Sequence, residues 1–77
     1  MTEADWLELF SLNLRVLLSE ARMTQRELAD AAYLSEGSIS NYIHQRKIPS
    51  IKAIINISRA LDIDVSDLID FDCDMII

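Results

Sequence analysis

One glycine, Gly37, and one proline, Pro49, punctuate a chain of 77 residues. No other feature limits the fold so strongly. A Leu- and Ile-rich chain with so few breakers, 51% hydrophobic overall, is expected to be all-helical. No strand pairs, internal repeats or low-complexity segments interrupt it. Residues 1–77 read as a single domain, with a core over about 5–69 and an acidic, apolar tail over 70–77. A core of this size supplies only a few kcal/mol, so partners or self-association often help.

The helices can be placed by period and caps. Over about Asp5 to Ala21, Trp6, Leu7, Phe10, Leu14, Leu17, Leu18 and Ala21 share one arc, the expected core face. Leu9, Leu12 and Val16 form a second apolar stripe on roughly the opposite side. It can pack under the apolar tail, Phe71 to Ile77, or form a subunit interface. Thr24 and Glu27 make a capping box for a second helix, with Leu28, Ala31 and Ala32 inward. Ser35 caps a third, about Glu36 to His44. In it Ile39, Tyr42 and Ile43 face one way, and Gly37, Ser40, Asn41 and His44 the other. "QRKIPS" is a basic loop, since Pro49 discourages helix at Ile48. Ser50 caps a fourth helix, about Ile51 to Leu61, with Ile51, Ile54, Ile55, Ser58 and Leu61 inward. A short fifth helix is expected after a Ser66 cap, with Leu68 and Ile69 inward.

Net charge is −6, but it is unevenly spread. Residues 1–21 set Glu3, Asp5, Glu8 and Glu20 against Arg15. Residues 22–59 set Arg22, Arg26, Arg46, Lys47, Lys52 and Arg59 against Glu27, Asp30 and Glu36. Residues 60–77 hold six Asp and no base. The middle is therefore basic and both ends acidic, and local charge governs because screening acts within about 10 Å. Two short helices joined by "AAYL", the second polar on its outer face, have the layout of a helix-turn-helix. A major groove admits one helix, which needs small or amide side chains outward and a neighbour to brace it.

The stretch "MTQRELADAAYLSEGSISNYIHQRKIPSIKAIINISRALDIDVSDLI" resembles the phage-repressor/Cro-type helix-turn-helix family, also called the XRE family. The shared pattern runs through Thr24-Gln25, Glu27-Leu28-Ala29, Ala32, Ser35, Ile39, Pro49-Ser50, Ile57, Ala60-Leu61 and Leu68. With Phe10, Leu14 and Leu17 it covers about residues 10–69 without a gap. The resemblance implies a compact five-helix, lambda-repressor-like domain. It also implies a DNA-facing set of Gln25, Arg26, Glu36, Gly37, Ser38, Ser40, Asn41, His44, Arg46, Lys47 and Ser50. Gln25 would contact a phosphate. Glu36, Gly37, Ser40 and Asn41 would face bases or nearby backbone. His44, Arg46, Lys47 and the helix start at Ser50 would lie by phosphates. An amide such as that of Asn41 can bond an adenine edge, and a carboxylate such as that of Glu36 a cytosine amine. The chain departs from the family in its turns: Tyr33 and Asp62 replace turn glycines, and His44-Gln45 replaces a frequent Asn-Gly. A bulky residue at positive φ is strained.

Other chemistry finds little support in these residues. One His and one Cys stand far apart, and Cys73 alone forms no intrachain disulfide, in keeping with a reducing cytosol. "DFDCD" opens like a calcium loop, but Met75 stands where that loop needs Gly. No nucleophile–base pair or phosphate loop is visible, so an enzyme is not expected, and no cofactor or metal. The acidic start "MTEADWLELF" is unlike a signal peptide, and no apolar run approaches a membrane span. The expected protein is a cytoplasmic, sequence-specific DNA-binding regulator, a repressor acting as a homodimer on a palindromic operator. Leu9, Leu12, Val16 and the tail would form the dimer. The alternative is a protein-interaction module on the same scaffold, such as an antitoxin partner or a regulator that titrates another factor. The discriminating observation is whether positive charge shares a face with Asn41.

Overall fold

The computed structural model describes residues 2–69, which form five α-helices: α1 (Glu3–Ala21), α2 (Gln25–Ala31), α3 (Glu36–Ile43), α4 (Ile51–Ala60) and α5 (Val65–Ile69). The tail residues Phe71, Cys73, Met75, Ile76 and Ile77, and the Asp70/Asp72/Asp74 series, lie outside the described residues. The all-helical, five-helix architecture is as expected.

α1 begins earlier than its apolar period does, because Thr2 and Asp5 cap it reciprocally. The Asp5 N–H donates to Thr2 Oγ1 and the Thr2 N–H to Asp5 Oδ2, both at 3.1 Å. Those bonds hold the Asp5 carboxyl below its ordinary range. Thr24 and Glu27 cap α2 in the same way. Ser35 caps α3 and Ser50 caps α4. α5 departs from expectation, since it starts at Val65 and Ser66 lies inside it. The Asp64 carbonyl accepts the first N–H groups there, from Asp67 and Leu68.

The core is built on Phe10, Leu14, Leu28, Ile39, Ile57 and Leu68, all fully buried. Trp6 stacks on Phe10 with centroids 5.2 Å apart, and Tyr42 meets Phe10 edge-on at 6.5 Å. Three parts of the expected core are different. Ala21 and Ala31 are exposed. Ile51 is 77% exposed and Ile55 only half-buried, while Ala53, Ile57 and Ser58 face inward. Isoleucines at 51, 54, 55 and 57 give α4 more apolar surface than one face can bury. The period alone does not say which side docks, and small Ala53 lets the helix approach closely.

Side-chain bonds tie the helices together where apolar packing cannot. Ser11, buried on α1, donates from Oγ to the Ile43 carbonyl at the end of α3. Asn13 Nδ2, also on α1, donates to the Asp67 carbonyl at 3.2 Å and to that of Leu68 in α5. No period in the sequence marks these polar residues as anchors. Among the described residues no buried side-chain polar atom lacks a partner.

α1 to α4 each end in one backbone device. The residue after the last turn adopts positive φ: Arg22 at 55°, Tyr33 at 57°, Gln45 at 59° and Asp62 at 56°. Its N–H and the next N–H then close back onto free carbonyls of the helix. Tyr33 bonds Asp30 and Leu34 bonds Ala29; Gln45 bonds Tyr42 and Arg46 bonds Asn41. This is the Schellman ending, which ordinarily takes glycine at the left-handed position. The chain makes all four without one, at a backbone cost of about 1–2 kcal/mol each.

Candidate nucleic-acid interface

α3 is fixed at both ends, which leaves one face free to meet a ligand. At its start Ser35 Oγ accepts from the Ser38 N–H at 3.0 Å and lies 2.9 Å from Ser38 Oγ. At its end all four terminal carbonyls have partners. Ser40 accepts from His44, Asn41 from Arg46 and Tyr42 from Gln45, while Ile43 accepts from Ser11 Oγ. Ile39, Tyr42 and Ile43 are buried against α1 and α2. Burial also pushes the Tyr42 hydroxyl above its ordinary pKa.

The opposite stripe is polar and accessible. Glu36, Gly37 and His44 are exposed, and Ser40 and Asn41 half-buried. Helical spacing places 36, 40 and 44 in one row beside 37 and 41. Gly37 sits in the first turn, without positive φ, where an added Cβ would meet only Ser35 Oγ at 3.9 Å. Its missing side chain is therefore not demanded by the backbone. It leaves a shallow spot on this face.

The remaining residues of the expected set divide into two groups. Arg46, exposed after α3, donates from Nε to Asn41 Oδ1 at 3.1 Å and from Nη2 to Ser40 Oγ at 3.3 Å. A positive charge thus shares the face of Asn41. Lys47 follows in the same exposed loop, and Arg26 is exposed on α2 beside half-buried Gln25. Ser38 and Ser50 have capping duties instead. Ser50 Oγ accepts from the Ala53 N–H at 3.1 Å. Nothing in the sequence marks the Arg46–Asn41–Ser40 link. Five- and six-residue separations lie outside helical neighbour rules, and the link exists only because the turn folds Arg46 back.

Among the described residues, no group of three or more His, Cys, Asp or Glu is arranged to hold a metal ion. No helix there is long and apolar enough to cross a membrane.

A short bracing helix, a tight turn and a second helix with an exposed polar stripe define a helix-turn-helix domain of the DNA-binding class. The family model for the Cro/C1-type HTH DNA-binding domain matches residues 13–74, and the chain belongs to that family. It is a DNA-binding transcriptional regulator. Its fold is similar to that of the restriction-modification controller protein C.AhdI from Aeromonas hydrophila. The TM-score is 0.78 and the identity 26%, over 80% of this chain and 94% of that one. No curated protein matches the sequence.

Proposed function

We propose that the protein is a repressor that binds a palindromic operator as a homodimer, with α3 in the major groove. The observation that carries this reading is the accessible stripe of Glu36, Gly37, Ser40 and Asn41, with the Arg46 cation bonded to it. In this reading Gln25, Arg26, His44, Lys47 and the start of α4 at Ser50 lie along phosphates, and α2 braces α3. Similarity to a controller protein supports a regulatory role. Selection of bound sites from random duplex DNA tests it. Two inverted half-sites about one helical turn, roughly 34 Å, apart are expected. Recovery of no motif sinks the reading.

The dimer would form through α1. Leu12 and Val16 are 52% and 45% exposed there, with half-buried Leu9 beside them. The same helix reaches α3 through Ser11 and α5 through Asn13, so a partner on α1 would set the spacing of two recognition helices. Burying a carboxylate in an apolar contact is costly. Leu12→Glu should therefore give a folded monomer by light scattering, with the helical circular-dichroism signal kept. A wild type already monomeric at high micromolar concentration excludes the pre-formed dimer.

A further inference from the structure

The side chain that follows the turn sets α3 apart from the other helices. After α1, α2 and α4 the residue that follows the left-handed position is apolar, Met23, Leu34 or Ile63, and each packs against the core. After α3 it is Arg46, which lies on the outer face. Its backbone N–H donates to the Asn41 carbonyl at 2.8 Å, and its Nε donates to Asn41 Oδ1 at 3.1 Å. One residue thus holds Asn41 by both main chain and side chain. Nη2 adds a bond to Ser40 Oγ at 3.3 Å.

These bonds change what the face offers. A side-chain amide bonds adenine by accepting at Oδ1 from the base amine while Nδ2 donates to N7. Here Oδ1 already accepts from a cation. A guanidinium has five N–H groups. Two are used on Asn41 and Ser40, which leaves three, besides the Asn41 NH₂. Around Arg46 and Asn41 the free groups are mostly donors, and the Glu36 carboxylate supplies the acceptors at the other end of the stripe. The guanine edge, with N7 and O6, presents two acceptors in the major groove.

We propose that Arg46 and Asn41 act as one composite reader that selects guanine, with Arg46 a specificity-determining residue and not only a countercharge for phosphate. The proposal rests on the groove-binding reading above. It assigns one base pair in each half-site to the two residues jointly.

The test compares Arg46→Lys, Lys47→Ala and Asn41→Ala on duplexes varied one base pair at a time. Arg46→Lys keeps the charge but lacks the planar fork. It should leave the salt slope unchanged and cut the preference for guanine at one pair by about 10-fold or more. Asn41→Ala should lose preference at that same pair. Lys47→Ala should weaken binding to all duplexes and reduce the salt slope by about 1, with preferences kept. Adenine at the Asn41-dependent pair, or full guanine preference in Arg46→Lys, overturns the proposal. A readout without DNA separates its failure from that of the groove reading. In the free protein, the NMR signal of the Arg46 side-chain Nε–H should shift on Asn41→Ala. No shift overturns the tether even if DNA is bound. A shift in a protein that selects no duplex leaves the tether intact and overturns the groove reading, and guanine selection with it.

Discussion

The turns that follow α2 and α3 share one backbone and serve opposite ends. In each, a non-glycine residue at positive φ, Tyr33 or Gln45, lets two successive N–H groups close onto the helix. After α2 the chain then lays partly buried Leu34 against the core. After α3 it sends Arg46 outward onto Asn41 and Ser40. The same geometry therefore contributes packing in one place and a charged, hydrogen-bonding surface in the other. The backbone device does not decide function; the residue that follows the left-handed position does.

Substitution at the two positions should separate the turns most strongly. Leu34→Arg forces a charge toward the core and should lower stability by about 3 kcal/mol in chemical denaturation. Arg46→Ala removes only exposed bonds, so stability should change by no more than about 0.5 kcal/mol. Equal losses in the two variants would show that Arg46 also holds the fold.

A second test asks what fixes the end of α3 besides its turn. Ser11→Ala leaves the buried Ile43 carbonyl without a donor. An orphaned buried acceptor costs about 1–3 kcal/mol. The melting temperature should fall accordingly, while single-turn elements elsewhere keep their amide protection. A loss near zero would mean that water reaches that carbonyl and that α1 does not anchor α3.

Much of this organisation is legible in the sequence. Thr24 with Glu27, Ser35 and Ser50 announce the starts of α2, α3 and α4 because caps are local. The inward set Ile39, Tyr42 and Ile43 follows from period, as does the outer stripe of α3. Legibility fails where a property depends on distant neighbours. Ile51 reads as core but is exposed, since an isoleucine-rich helix has two candidate faces and only packing chooses. Ser11 and Asn13 carry no signal in the pattern of α1, yet each meets a carbonyl from another helix. Arg46 reads as a cation of a basic loop that would lie by phosphates. Its bonds to Asn41 and Ser40 need the left-handed Gln45, which no glycine signals.

The smallest expected effect probes that missing glycine. Tyr33 and Gln45 have nearly the same φ, 57° and 59°, and both side chains are exposed, Tyr33 at 91%. Holding a non-glycine residue there costs about 1–2 kcal/mol. Replacement by Gly removes that strain but frees the unfolded chain, which returns about 0.5–1 kcal/mol. Tyr33→Gly and Gln45→Gly should thus each stabilise the fold by about 0.5–1 kcal/mol, measured by denaturant midpoint at constant slope. If the two turns differ only in the residue that follows, the two gains should match. A gain at Gln45 without one at Tyr33 would show that the exposed ring stabilises the α2–α3 turn by a contact of its own. A loss at Gln45 would show that its side chain supports the loop that presents Arg46, and the likeness between the turns would end at the backbone.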